Sequence, residues 1–436
     1  MPRWRWLMAQ MTRRLWVRAT LIGALGIFAA ILAAVVERYI PWDMPGSVGA
    51  DAVDGILSII ASSMLAVTTF SLSIMVSAYG SATNNVTPRA TKLLIEDRLT
   101  QTVLSTFIGS FLFGIVGLIV LRTGAYGERG RVVLFIVTIA VIALVVISLL
   151  RWIDHLTRLG RVGETTDRVE EATRKALEIR LRQPYLGGLP FRDAAAQGPQ
   201  SSFAVTTGRI GYIQHVDMPA LARFCEAHDR DLYVNAVPGT FVYPHTPLVW
   251  VADGEIEDED AVLGRLRDAF SIGDERSFDQ DPRFGLAVMS EIGSRALSPA
   301  TNDPGTAIDV IGRNTRLLSL WSSGSRDDGD YEPGYPRVHV PPLDTEDLFE
   351  DAFMLMARDG AGLIEVQLRI QKALSALAHM GDDAFKAAAL KQAGLAFDRA
   401  QAALVMDADR ERLSGFAQEN SASAQTSRSP LPQRSE

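Results

Sequence analysis

Four stretches of this chain cannot be left in water. Trp16–Val36, Gly55–Tyr79, Val103–Val120 and Val132–Leu150 each run for at least 18 residues with no formal charge, apart from Arg18 at the entry of the first. A helix of about 20 residues crosses the roughly 30 Å hydrocarbon core of a bilayer. Four such helices in a soluble fold would have no polar face to turn to solvent. The fold class that follows is membrane α-helical with four transmembrane helices, followed by a cytoplasmic α+β region made of a small β-rich module and a helical domain. The first run exceeds the roughly 7 to 15 residues of a signal-peptide core, so it reads as an uncleaved anchor.

Averaged over 436 residues, the chain looks acidic and soluble, with net charge −8 and mean hydropathy +0.11. The average hides a division. Residues 1–160 carry 14 Lys/Arg against 8 Asp/Glu, a balance of +6, which leaves −14 for residues 161–436. Cations cluster before the first span (Arg3, Arg5, Arg13, Arg14, Arg18), between the second and third (Arg89, Lys92, Arg98) and after the fourth (Arg151, Arg158, Arg161). The opposite loops offer only Arg38, Arg122, Arg129 and Arg131. The positive-inside bias therefore puts both termini in the cytoplasm, with Trp4, Trp6, Trp16, Trp42 and Trp152 near the boundaries. The basic excess faces anionic lipid. The acidic body, with pI near 5.4 for the whole chain, excludes affinity built on phosphate neutralisation, so no nucleic-acid partner is expected. One cysteine, Cys225, excludes a disulfide framework or a Cys-based zinc site.

The second span holds eight Ser/Thr. At 100° per residue Ser58, Ser62, Thr69 and Ser73 fall within about 60° of one another. Such a stripe either lines a water-filled path, with Leu65 and Val76 as constrictions that gate by dewetting, or bonds its own helix carbonyls while small residues let helices approach. In the third span Ser105 and Gly109, and Ser110 and Gly114, are small residues four apart, a spacing for helix packing. No span holds Asp, Glu, Lys or His in its interior, which argues against ion-coupled transport.

Pro88–Leu99 has the pattern of a short amphipathic helix along the inner interface. Residues 1–160 form the transmembrane domain and 161–200 a juxtamembrane helix and linker. In that helix, Thr165–Leu181, Glu170 with Arg174 and Glu171 with Lys175 have the spacing of solvated pairs. A β-rich module is expected over 201–255. Its short β-branched runs are Phe203–Thr207, Ile210–Gln214, Leu232–Ala236, Thr240–Tyr243 and Leu248–Val251, with Pro238-Gly239 as a type II turn and one helix, Met218–His228, capped by Asp217. The pattern is loosely similar to lipoyl and biotinyl barrels, but residues 201–252 contain no lysine, so a prosthetic-group carrier is excluded. A helical domain is expected over 256–415: Asp260–Ser271, Arg283–Leu297, Pro304–Leu320, Thr345–Ala357, Leu363–His379 and Asp383–Leu404, with an exposed loop at 322–342 and a disordered tail at 416–436.

The sharpest polar feature is Ser298-Pro-Ala-Thr-Asn-Asp-Pro304. Arg295, Asn302, Asp303 and Asp309 are the candidate ligand or subunit-contact residues. The competing structural role is a helix junction in which Pro299 stops one helix, Asp303 or Asn302 caps the next, and Pro304 takes its first position. The six histidines, His155, His215, His228, His245, His339 and His379, lack ligand spacing, so no metal is expected. No GxSxG elbow, Walker A lysine or GxGxxG fingerprint occurs. No catalytic residue, enzyme activity or cofactor is assigned.

Several motifs occur in a fixed order: Ser77–Gly80, Pro88-Arg89, Asp97-Arg98, Gln101–Phe107, Gly273 with Glu275-Arg276, Gln280-Asp281, Phe284-Gly285 and Arg295-Ala-Leu-Ser-Pro-Ala-Thr-Asn-Asp-Pro-Gly-Thr-Ala307. Over about residues 50–400 the chain resembles a bacterial family of predicted inner-membrane proteins classed as a domain of unknown function. The resemblance implies membrane localisation and a bacterial source, and no activity. Gly305 departs from the bulky aromatic common at its position, and the hydrophilic insert near 322–342 is a second departure. The expected function is an oligomeric pore or channel-like protein, a homo-oligomer in the lipid bilayer, with a cytoplasmic sensing or assembly domain. The alternative is a membrane-anchored scaffold or sensor without transport.

Overall fold

A computed structural model describes residues 2–36, 50–95, 97–124, 126, 128–191, 199, 202–252, 259–324 and 331–426. Most of the first loop, with Trp42, most of the 192–200 linker, the centre of the 322–342 loop and the end of the tail lie outside these residues. The chain divides into two compact units. One comprises Trp6–Asn84 and Thr91–Thr165, the other Met1–Arg5, Asn85–Ala90 and Thr166–Glu436.

The first unit is helical: α1 (Arg3–Thr12), α2 (Leu15–Val36), α3 (Ala50–Asn85), α4 (Pro88–Ile95), α5 (Arg98–Arg122) and α6 (Glu128–Leu156). Four of these, α2, α3, α5 and α6, are long and apolar enough to cross a membrane, as the charge-free runs require. The helices outlast the runs because the backbone stays hydrogen-bonded into the flanking polar residues. At the start of α5, Asp97 accepts from Thr100 N at 2.9 Å and caps the helix ahead of its apolar part.

Helix α5 is the most buried of the four, and its small residues explain why. A Cβ on Gly26 of α2 would lie 2.5 Å from the Gly109 carbonyl oxygen, and one on Gly109 would lie 3.0 Å from the Ile22 carbonyl oxygen. Across the helix, a Cβ on Gly114 would meet Ala61 N and Leu57 O of α3, each at 3.2 Å. The spaced small residues thus serve packing inside one chain, on two faces of one helix. Tyr126 closes the far end, its hydroxyl donating to the Ala30 carbonyl at 2.6 Å. At the other end Gly160, with φ +80°, leaves room for the Ala78 carbonyl.

The second unit opens with α7 (Val162–Arg182) and a 3-10 turn at Pro184–Gly187. Next come β1 (Leu189–Pro190), β2 (Ser202–Thr206), β3 (Gly211–Val216), α8 (Met218–His228), β4 (Leu232–Val234), β5 (Phe241–Val242), β6 (Pro247–Ala252), α9 (Glu259–Asp268) and β7 (Phe270–Gly273). The strands make two sheets: β1-β8-β4-β6-β2, where β8 is Val338–Val340, and β5-β3-β7. In the first, β6 pairs antiparallel with β2 (Phe203 opposite Val251) and β4, whereas β8 runs parallel to β4 and β1. In the second, Ile213 faces Ile272 across an antiparallel pair. Val205, Ile213, Leu221, Leu232, Val249 and Val338 bury a common core between these sheets and α8.

Helix α8 spans the expected residues, and Asp217 accepts from Ala220 N at 3.0 Å as its cap. Two readings of the sequence are corrected. The 322–342 segment is not all exposed loop, because Val338 and Val340 are buried in a strand between β1 and β4. The expected helix 260–271 ends at Asp268, and its last residues enter β7 to pair with β3. In both cases long-range pairing outweighs local pattern.

Five helices complete the unit: α10 (Pro282–Ala296), α11 (Pro304–Ser322), α12 (Thr345–Asp359), α13 (Ile364–Leu377) and α14 (Asp383–Ala403). They pack around Met289, Ile311, Phe349, Phe353, Ile370 and Leu374. Ser290 Oγ and Asn314 Nδ2 converge on the Ala352 carbonyl at 3.0 and 2.7 Å, satisfying polar groups inside the bundle. A further helix, α15 (Asp407–Thr426), enters the stretch expected to be tail.

The packing of α5 gives a direct test. Gly26→Ala puts a methyl against the Gly109 carbonyl and should cost about 1–3 kcal/mol. Gly55→Ala, with nothing within 4 Å, should be neutral or slightly stabilising. Equal unfolding midpoints for the two purified variants in detergent would contradict the close approach.

Candidate functional site

The Arg295–Asp309 segment forms the junction between α10 and α11. The turn closes through Asn302 N to Ser298 O at 2.8 Å and Asp303 N to Ala296 O at 2.8 Å. Asn302 has φ +49°, a left-handed conformation that asparagine tolerates. Asp303 caps α11, accepting from Thr306 N at 3.0 Å and from Thr306 Oγ1 at 2.6 Å. These bonds hold its carboxyl below the usual carboxylate range. Asp309 points along its own helix to Arg313 at 2.6 Å. Arg295 is exposed, and its carbonyl accepts from Ser298 N at 3.1 Å. Asn302 and Asp303 thus serve the turn and the cap, while Asp309 is drawn to Arg313 on its own helix. Gly305 is exposed, so its departure from an aromatic alters surface only.

The stripe on α3 faces outward. Ser58, Ser62, Thr69 and Ser73 are all exposed on the isolated chain, as are Leu65 and Val76. Ser62 Oγ donates to Ser58 O at 2.9 Å, Thr69 Oγ1 to Ala66 O at 2.9 Å and Ser73 Oγ to Thr69 O at 3.1 Å.

Three polar clusters were less visible in the sequence. At the start of α5, Asp97 Oδ2 lies 3.0 Å from His155 Nε2, and Thr100 Oγ1 lies 3.1 Å from the same nitrogen. Gln101 Nε2 donates to the Arg13 and Ile95 carbonyls. These contacts give the Asp97-Arg98 and Gln101 motifs a structural use.

The second cluster joins α7 to α11. Glu170 is buried and accepts both Arg316 Nε and Nη2 at 3.0 Å, together with Arg313 Nη1 at 2.8 Å. Arg313 also holds Asp167 and Asp309, and these carboxylates raise its pKa against the opposing effect of burial. Glu170 therefore does not make the expected pair with Arg174. Glu171 does pair with Lys175, at 3.0 Å. Helix α7 is not solvated all round: Thr166, Val169, Glu170, Thr173, Leu177 and Arg180 are buried on one face. That 3.6-residue period was a sequence signal, masked by its polar members.

The third cluster centres on Asp281, which is 2% exposed. It accepts Arg276 Nε at 2.7 Å and Nη2 at 3.0 Å, and caps α10 by accepting from Phe284 N at 3.1 Å. Gly239, with φ +95°, closes on it from the type II turn, where a Cβ would sit 2.5 Å from Asp281 Oδ2. Gly285 leaves α10 close to Thr173 of α7.

Burial pushes the Cys225 thiol up to about 12, which makes it a poor nucleophile. Among the described residues no group of three His, Cys, Asp or Glu is placed to hold a metal ion.

Residues 12–376 match the family described as predicted membrane protein (DUF2254). An uncharacterized protein of Mycobacterium tuberculosis is 26% identical over 284 residues, covering 62% of this chain and 52% of that protein. An uncharacterized protein of Mycobacterium bovis matches with the same identity and coverage. The chain spans about half the length of the curated relatives it matches. No solved structure matches it.

Two tests follow. Glu170→Ala removes the buried carboxylate that Arg313 and Arg316 share and should cost about 1–3 kcal/mol, whereas Glu171→Ala, on the exposed side of α7, should cost under about 0.5 kcal/mol. Comparable losses in thermal unfolding would refute the assignment. Asp303→Ala should cost about 1 kcal/mol at neutral pH as a lost cap. A carboxyl with a lowered folded pKa contributes fully above its unfolded value and loses that contribution as pH falls through the folded value. The gap between Asp303→Ala and the parent should therefore close in acid, and a pH-independent gap would contradict the capping role.

Proposed function

This chain belongs to the DUF2254 family of predicted membrane proteins, and on that premise we propose that it is a multi-pass protein of the bacterial cytoplasmic membrane. Both termini lie in the cytoplasm, and the protein acts as a membrane-anchored sensor or scaffold. The observation that carries this reading is the hydrogen bonding of the α3 stripe. Ser62, Thr69 and Ser73 each give their hydrogen to a carbonyl of α3 itself, so these three hydroxyls are satisfied in hydrocarbon without a column of water. The spaced glycines of α5 are likewise used up in packing within one chain. What distinguishes the protein is its large C-terminal unit, a mixed sheet-and-helix body with buried ionic clusters. That unit is the part suited to recognising something.

A second reading keeps a specific support. The stripe lies on the outside of the chain with Leu65 and Val76 beside it, where a ring of copies placing α3 at its axis would line a path with hydroxyls and apolar constrictions. Planar bilayers containing the purified full chain separate the two. The sensor or scaffold reading expects no conductance under tension, voltage or pH steps. A conductance whose size changes with Ser62→Leu and Ser73→Leu would overturn it and establish the pore. For orientation, a green fluorescent protein fused to the C-terminus should fluoresce, and an active alkaline phosphatase fusion at the same place would reverse the assignment.

A further inference from the structure

Two guanidinium groups largely withdrawn from solvent in the C-terminal unit have carboxylates of their own. Arg313 holds Asp167, Glu170 and Asp309, and Arg276 holds both oxygens of Asp281. Arg180, on the inner face of α7, does not. Among the described residues it is the one buried arginine, 5% exposed. Its side chain makes a single long hydrogen bond, from Nη2 to the Pro341 carbonyl at 3.5 Å. A guanidinium carries five N–H donors in a fixed fork, so most of its capacity is unused. The acidic group whose field reaches it is Asp281, already committed on both oxygens to Arg276. Burial accordingly draws the Arg180 pKa down to about 10, the direction expected of a cation short of a counter-charge.

Tyr185 and Tyr331 lie near enough to act electrostatically on Arg180, are half-buried, and pack edge to face with ring centroids 6.1 Å apart. The Tyr331 hydroxyl donates to the Pro184 carbonyl at 3.1 Å. Tyr185 and Leu186 are both left-handed, at φ +55° and +56°, followed by Gly187 at +90°. Two successive non-glycine residues in that region are strained, and such strain is kept where the surroundings fix a side chain for use. A buried cation without an anion is costly, while an arginine fork matches a carboxylate or phosphate group with two parallel bonds.

We infer that Arg180 anchors a binding site for a small molecule bearing a carboxylate or phosphate group, with Tyr185 and Tyr331 beside it. The site goes beyond the membrane reading and is independent of whether α3 lines a path. Thermal unfolding of the purified full chain in detergent, with inorganic phosphate or acetate titrated against chloride at constant ionic strength, tests it. The midpoint should rise saturably with one of the two. Phosphate or acetate, whichever acts, identifies the group the ligand carries. The response should vanish in Arg180→Met and persist in Arg182→Met, whose side chain is exposed. In buffer free of both anions Arg180→Met should unfold at or above the parent temperature, because it removes a cation without a partner. A parent protein unresponsive to both anions, an Arg180→Met variant that responds like the parent, or one that melts lower in anion-free buffer overturns the site. If Arg180→Met does not fold, Arg180→Lys decides. A weakened response supports the two-pronged contact, and an unchanged one overturns it.

Discussion

A single carboxylate, Asp281, is the point on which the C-terminal unit depends. Buried charge is tolerated only when paired and hydrogen-bonded, and Asp281 meets that condition by drawing several elements together. It starts α10, fixes Arg276, and is covered by the turn glycine Gly239. Its neighbours extend the join: Gln280 Oε1 accepts from Val216 N at 3.1 Å, and Gln214 Nε2 donates to the Glu275 carbonyl at 2.7 Å, which ties β3 to the same loop. Arg276 in turn lies over the Phe284 ring at 5.3 Å. Once α10 is placed, Arg283 reaches Asp347 and Asp351 of α12, and Gly285 admits α7. Sheet, turn and helices therefore share one electrostatic origin, and the cation left without a partner of its own, Arg180, sits in the field of that origin.

The membrane unit solves a different problem with the same rule. Hydrocarbon offers no hydrogen-bond partners, so each polar group must find one internally. Hydroxyls on α3 return to their own helix, Ser105 Oγ in α5 donates to the Gln101 carbonyl at 2.6 Å, and Tyr126 closes on Ala30. Association of α2, α3 and α5 rests on close backbone approach at Gly26, Gly109 and Gly114.

Much of this was legible in the sequence because the signals are local. An uninterrupted apolar run needs no partner to declare a span, and Asp217 and Asp303, each placed just ahead of a proline in the first turn of α8 or α11, mark helix starts that the structure reproduces; Asp281 lies in a charged run, Arg276–Arg283, that reads in sequence as a solvated approach to α10, and the structure instead buries it as the cap of that helix. What was not legible depends on distant pairing. Val338–Val340 looks like the end of a hydrophilic insert until β1 and β4 flank it. Glu170 has the spacing of a solvated helix pair, and only the position of α11 turns it inward to Arg313 and Arg316. At the candidate site the junction residues Asn302 and Asp303 had a full local explanation. The consequential residue, Arg180, looked like one more charge on a polar helix, since burial of a charge is a property of what packs over it.

The dependence on Asp281 is measured most directly by a double-mutant cycle in the full chain, following unfolding of Asp281→Ala, Arg276→Met and the pair together. The account predicts that Asp281→Ala costs about 3–5 kcal/mol, because it removes a cap and strands buried cations, and that adding Arg276→Met restores part of the loss. A loss near 1 kcal/mol for Asp281→Ala, with additive effects in the double variant, would make it an ordinary helix cap and contradict the account.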